Sequence, residues 1–169
     1  MPVHRPEYPL HKVNAVSASI LVLTLLVAKL SCNLPAPSSL IPLMICWFSM
    51  LYFSHCLTHY VTGRLLGIKF RYYTLSPSML SRTFPFLKRF RVFLTLRLAE
   101  KPRGWRGFVM FTSGALASML SPLLVVYISR CDTLAFRFLL CVTVLNIIFT
   151  GYFSSKQGCI SKGLKCLKR

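Results

Sequence analysis

The sequence predicts an α-helical integral membrane protein with four membrane-crossing helices and a small cytoplasmic β-hairpin. Three observations carry that expectation. First, four apolar runs recur, at residues 15–31, 40–61, 107–129 and 134–153, each close to the roughly 20 residues a helix needs to cross hydrocarbon. Second, the 169 residues are 54% hydrophobic with a mean hydropathy of +0.59, too apolar for an ordinary water-soluble fold. Third, 21 Lys and Arg stand against 3 Asp and Glu, a formal charge of +18. High apolarity and high positive charge together describe a polytopic protein facing anionic headgroups. A soluble nucleic-acid binder would share the charge but not the apolar runs. The length implies one membrane domain over residues 1–169.

The elements follow in order. Residues 1–14, with three prolines and two histidines, read as a short polar lead. The first span, 15–31, is short, and Lys29 near its far end extends its ammonium outward along its own stem. Residues 33–39, with two prolines and no charge, form a tight loop. The second span, 40–61, carries Trp47, Tyr52 and Tyr60 and ends in a pair of histidines.

Between 63 and 106 the chain turns basic, with eleven Lys or Arg and one acid, Glu100. Two pieces there alternate with period two: Ile68, Phe70 and Tyr72 against Lys69 and Arg71, and Val92, Leu94, Leu96 and Leu98 against Arg89, Arg91 and Arg97. Such alternation predicts half-buried strands, paired as a hairpin on the membrane surface and joined by a loop over 76–88. The third span contains Ser113-Gly114-Ala115-Leu116-Ala117-Ser118, whose small residues permit close helix packing, with Pro122 as a kink. A four-residue connection, 130–133, makes an antiparallel pair with the fourth span. Arg137 and Asn146 in that span are expected to face protein rather than lipid, and Asp132 to pair with Arg130 or Arg137 on the surface. A basic tail, 154–169, completes the chain.

Lead, basic segment and tail share one side of a four-span protein, and they hold 18 of the 21 basic residues. The positive-inside rule places that side, with both termini, in the cytoplasm. His55 and His59 then lie about 3–9 Å inside the cytoplasmic boundary. Seven cysteines are scattered without a C-x-x-C pair, which leaves out zinc-ribbon and thioredoxin-like motifs. Cys32 and Cys131 fall on the outer side, where an oxidising compartment would join them as a disulfide. The first apolar run lacks a signal-peptide cleavage pattern.

Four residues apart on a helix, His55 and His59 present their imidazoles on one face, within reach of one metal ion. Zinc proteases use this spacing in H-E-x-x-H, where the glutamate is the general base. The chain reads His55-Cys56-Leu57-Thr58-His59, then Arg64-Leu65-Leu66-Gly67-Ile68, then Gly114-Ala115-Leu116-Ala117-Ser118 in the third span and Asn146 in the fourth. In order and spacing this resembles the core of the site-2 protease family of intramembrane zinc metalloproteases, over about residues 40–163. That resemblance implies a zinc centre at the cytoplasmic end of the second span and a short hairpin after it. It also implies a third zinc ligand, an aspartate, from the end of the last core helix. The chain departs from the pattern where chemistry is done. Cys56 stands at the catalytic-base position, Ala115 and Ser118 replace a proline and an asparagine, and no acid lies near Ser154, Gln157 or Lys162.

Zinc hydrolysis needs three protein ligands, an open position and a base, and loss of the base alone costs about 10²–10⁴ in rate. Cys56, one residue from His55, points about 100° round the helix from it. Cys159 in the tail is a soft ligand that would complete a zinc site with His55 and His59. The simpler alternative is that both imidazoles only hydrogen-bond across the bundle.

The expected function is therefore a site-2-protease-like, non-catalytic pseudo-protease that binds a membrane partner or substrate helix, holding no cofactor or one zinc ion. Two other readings stand beside it: a zinc-dependent intramembrane endopeptidase with atypical ligands, and a structural subunit of a larger membrane assembly. The basic face, with Arg64, Lys69, Arg71, Arg89, Arg91 and Arg97, is expected to meet anionic lipid. Other membrane proteins, a second copy, or an acidic or RNA partner are the further candidates for that face.

Overall fold

The computed structural model describes residues 6–76 and 93–168. It is mostly helical, with four helical segments long and apolar enough to cross a membrane and a three-stranded antiparallel sheet at one end. Helix α1, Leu10–Ser31, begins after Pro9, whose carbonyl accepts from Val13 N–H at 3.2 Å. It is longer than the apolar run because Leu10 to Asn14 continue the helix past the hydrophobic window, a polar first turn at the end of an apolar rod. Helix α2, Leu40–Leu65, tolerates Pro42 because the first-turn N–H groups have no partner within the helix. It stops where Gly67 takes φ +76° and Ile68 N–H returns to Gly63 O at 2.8 Å, a left-handed glycine cap.

The third apolar run is two helices. Helix α3, Gly104–Leu120, gives way at Ser121 to α4, Pro122–Ile128, because Pro122 has no N–H to continue the ladder. A 3₁₀ turn, Ser129–Cys131, leads to Asp132 and to α5, Thr133–Gln157. Asp132 caps α5, accepting from Leu134 N–H at 2.9 Å and Ala135 N–H at 3.2 Å, and its other oxygen accepts from the Ser39 hydroxyl. The expected pairing with Arg130 or Arg137 is not formed. Arg130 lies over the Tyr127 ring at 4.7 Å instead, and Arg137, expected to face protein, is exposed one turn into α5. Cys32 and Cys131 are joined in a disulfide with Cα atoms 5.7 Å apart, tying the α1–α2 loop to the start of α5. This end of the bundle also holds much of the core, including Ala28, Leu43, Trp47, Val125 and Leu139. Trp47 Nε1 there donates to Thr143 Oγ1 at 2.8 Å.

At the other end, β2 (Phe70–Ser76) pairs with β3 (Phe93–Leu98) as the alternation predicts. The boundaries differ: Ile68 and Lys69 precede the strand, and a register shift between Phe70 and Tyr72 interrupts the two-residue period. Burial is deepest at the neighbours Tyr73 and Thr74, which the regular register turns to opposite faces, rather than on one alternating set. Arg89, Arg91, Val92 and the loop over 77–88 lie outside the described residues. A third strand, β1 (Glu7–Tyr8), covers the free edge of β2, so the polar lead is part of the sheet. The sheet packs on the helix ends. Tyr73 Oη donates to Asn14 Oδ1 at 2.8 Å, and Tyr52 Oη accepts from Leu94 N–H at 3.2 Å.

The basic tail is not extended chain. Helix α5 runs to Gln157, Gly158 breaks it, and α6, Cys159–Leu167, folds back onto the first half of α3. Small residues make that contact: Gly163 sits against Phe108, and Gly107 against Cys166. The lead, the sheet and the tail thus gather at one end of the bundle, opposite the disulfide.

Candidate metal centre

Three side chains from distant parts of the sequence converge beside α3. His55 and His59 sit one turn apart on α2, and Cys159 is the first residue of α6. The turn at Gly158 aims Cys159 inward; Ser154 Oγ accepts from Ile160 N–H at 3.2 Å and pins the turn. His59 Nε2 is 3.1 Å from His55 Nε2, and Cys159 Sγ is 3.4 Å from His59 Nε2 and 3.5 Å from His55 Nε2. A tetrahedral zinc ion with ordinary Zn–N and Zn–S lengths would hold its ligand atoms about 3.4 Å apart for N and N, and about 3.6 Å for N and S. The three separations lie within a few tenths of an ångström of that.

The outer hydrogen bonds decide which nitrogens are free. His59 Nδ1 lies 2.6 Å from the Met110 carbonyl, which can only accept, so Nδ1 carries the proton. His55 Nδ1 lies 2.7 Å from Ser118 Oγ, and that hydroxyl donates its own proton to Gly114 O at 2.9 Å, so His55 Nδ1 is also the donor. Both neutral imidazoles therefore turn their Nε2 lone pairs toward the same point. Two lone pairs so close repel unless a cation or a proton lies between them. Outer-shell donation to backbone or hydroxyl is also how metal-bound histidines are oriented. The cross-bundle hydrogen bonds of the simpler alternative are thus present, but they occupy Nδ1 and leave Nε2 for a ligand's role.

Burial pushes the Cys159 thiol above its ordinary value, and Lys162, one turn on in α6, draws it partly back. The donor set, two imidazoles and one thiol, suits zinc. The residues therefore fit the metal that the family resemblance implies.

The close approach of α3 to this cluster depends on Gly114, where any Cβ would overlap the His59 ring. Ser118, which stands where the family pattern has an asparagine, bonds His55. Asn146 reaches α3 differently: its Nδ2 donates to Ser118 O at 3.0 Å, and its Oδ1 accepts from Thr150 at 3.0 Å. The sequence offered a sign for Ser118, one turn after Gly114 on the same face; nothing marked the Met110 carbonyl, a backbone group.

Cys56 is not part of the cluster. It is buried, and its Sγ donates to Leu94 O in β3 at 3.2 Å, toward the sheet. The chain's three acids are all elsewhere. Glu7 is in β1, Glu100 follows β3, and Asp132 caps α5 at the far end of the bundle. Of the expected surface cations, Arg64, Lys69 and Arg71 are exposed and Arg97 is half-buried in β3. Arg89 and Arg91 lie outside the described residues. Compared with protein-family models, curated proteins and solved structures, the chain matches none.

Proposed function

We propose that this chain is a multi-pass membrane protein of site-2-protease type whose former hydrolytic centre holds one zinc ion without cutting peptide bonds. The observation that carries this is the convergence of two imidazole Nε2 atoms and the Cys159 thiol on one point, with both Nδ1 atoms hydrogen-bonded elsewhere. Zinc there would supply a cross-link between α2 and α6 and a Lewis-acid position. Membrane insertion is supported by the apolar side chains turned outward along the bundle, among them Ile41, Ile45, Leu124, Tyr127, Ile148 and Phe149. The gathering of the basic segments at one end and of the disulfide at the other supports cytoplasmic termini, since disulfides persist in oxidising compartments. The proposed role is to bind a membrane partner or substrate helix beside the metal centre, as the resemblance implies.

Absence of hydrolysis rests on where the acids are. No Asp or Glu side chain belongs to the cluster, and the residue at the base position donates to a strand carbonyl. An atypical endopeptidase is the second reading, favoured by one feature: three ligands leave the fourth tetrahedral position open. Zinc content of the purified chain, measured with His59→Ala alongside, tests the centre; equal content in both removes it. A transmembrane peptide incubated with and without chelator tests the role. Cleavage that stops on zinc removal would establish the enzyme and end the non-hydrolytic proposal.

A further inference from the structure

At the basic end, away from the metal cluster, a cleft of about 730 Å³ opens between the end of α2, the start of β2 and the first turn of α3. Four cations line it: Lys69, Lys101, Arg103 and Arg106. All four are exposed. Glu100 is the one acid at its rim, and no ion pair joins it to these cations among the described residues. Like charges gathered on one concavity repel each other, and an anion placed among them relieves that repulsion. The first N–H groups of α3 open on the same side, with no side-chain cap at Arg103, and add to the positive potential.

The flanks of the cleft say what kind of anion. The last turns of α2 expose Val61 at 47% and Leu65 at 82%, and the first turns of α3 expose Trp105 at 59% and Val109 at 37%. Apolar helix surface thus runs up to the cations, with a tryptophan at the junction, as side chains do at headgroup depth. A free phosphate or an RNA would use the cations and leave the apolar shoulder bare. A lipid uses both.

We infer that this cleft is a binding site for the phosphate of one anionic phospholipid, whose acyl chains lie along the exposed flank of α2 and α3. The inference rests on the membrane insertion proposed above. It differs from general attraction to a charged surface, in which any cation at this end would count equally.

The test uses Trp105. The full chain is reconstituted in phosphatidylcholine nanodiscs containing a minor fraction of phosphatidylglycerol, and one lipid or the other carries brominated acyl chains that quench indole emission. The Trp105 signal is the difference between the wild type and Trp105→Phe, which leaves Trp47 in place. Brominated phosphatidylglycerol should quench Trp105 at a mole fraction about ten-fold lower than brominated phosphatidylcholine. The fourfold variant Lys69→Gln, Lys101→Gln, Arg103→Gln, Arg106→Gln should lose that preference. A control removing the same charge at the same end, Lys12→Gln, Lys156→Gln, Lys165→Gln, Lys168→Gln, should keep it. Arg106→Gln alone, a milder change, should lose about half of the preference on a logarithmic scale.

Equal loss in the fourfold variant and the control would reduce the cleft to diffuse attraction and overturn the proposal. Displacement of phosphatidylglycerol by inorganic phosphate or a short RNA, at equal phosphate concentration, would overturn it in favour of a soluble anion. A chain that enters neutral nanodiscs but shows no lipid preference overturns the cleft alone. One that does not enter them overturns membrane insertion as well.

Discussion

Gly114 sets how closely α3 approaches the histidine pair, and Gly114→Ala isolates that distance. An alanine Cβ there would meet three atoms of the His59 ring, and the least crowded of them, Cδ2, would be 2.6 Å away. Ordinary contact begins near 3.4 Å, so the ring and the helix must part by at least about 0.8 Å. The ring cannot rotate aside without leaving the Met110 carbonyl, 2.6 Å from its Nδ1. Separation of α3 from α2 is the remaining course, and it carries away Ser118, which orients His55. Overpacking of this size costs about 1–3 kcal/mol, and disturbing the groups that orient metal ligands costs about 10–100-fold in affinity. Gly151→Ala is the matched control. Its Cβ would meet only Met119 Cε, at 3.8 Å, within helix α5, so it should stabilise by about 0.4–1 kcal/mol through the unfolded chain. The assay is thermal unfolding in one detergent, with zinc titrated into each variant. Opposite shifts are expected, down for Gly114→Ala and up for Gly151→Ala, with weakened zinc binding only in the first. Unchanged zinc affinity in Gly114→Ala would refute the packing of His59 against α3.

Cys159→Ser should lose tightly bound zinc, whereas Cys141→Ser, an exposed cysteine of α5, should bind as the wild type does; metal analysis after gel filtration reads both. Thiol titration of the denatured chain should rise from five groups to seven on reduction, because Cys32 and Cys131 are the joined pair among seven cysteines. Asp132 is held below the usual carboxylate range, chiefly by the Ser39 hydroxyl and then by the α5 N–H groups. Its contribution is therefore full above the unfolded value near pH 3.9 and lost as pH falls through the lower folded value. Hydrogen exchange at Leu134 and Ala135 should speed up over that acid window relative to the rest of α5, and in Asp132→Asn the acid dependence should vanish. Cys56→Glu should not create a protease: its carboxylate would face the Leu94 carbonyl and destabilise by more than about 2 kcal/mol. Any chelator-sensitive cleavage by that variant would contradict the assigned direction of residue 56.

The apolar helices were legible because about 20 consecutive apolar residues leave little choice in a chain this hydrophobic. Their polar ends were not. His11, Lys12 and Asn14 extend α1 below the window that hydropathy detects, and Ser154 to Gln157 do the same for α5. The disulfide was legible since Cys32 and Cys131 adjoin short loops at one end. Strand β1 was not, because two residues carry no period and their pairing is set by the open edge of β2. The tail was legible only as basic, with Cys159 as a ligand, and its helix was not: Cys159, Gly163 and Cys166 fall at i, i+4 and i+7, a narrow face of small residues. That face lets α6 lie against Gly107 and Phe108 of α3, which is what brings Cys159 to the histidines. Asp132 was misassigned for a related reason: an acid just before a helix is taken first by that helix's own N–H groups.

The chemical consequence of the third ligand follows from charge as much as from geometry. Two neutral imidazoles with one thiolate carry the same formal charge as two imidazoles with the aspartate that the family pattern expects. On the proposed reading, Cys159 in place of that carboxylate would keep the formal charge and the number of protein donors that a divalent ion requires. The base is another matter, since no Asp or Glu among the described residues stands beside the cluster. Cys56 is turned into the sheet, Ser118 is occupied by His55 and Gly114, and Asn146 spans to the backbone of α3. A centre with these three donors and no acid beside it among the described residues would, on the proposed reading, fix the relation of α2 to α6 rather than activate water.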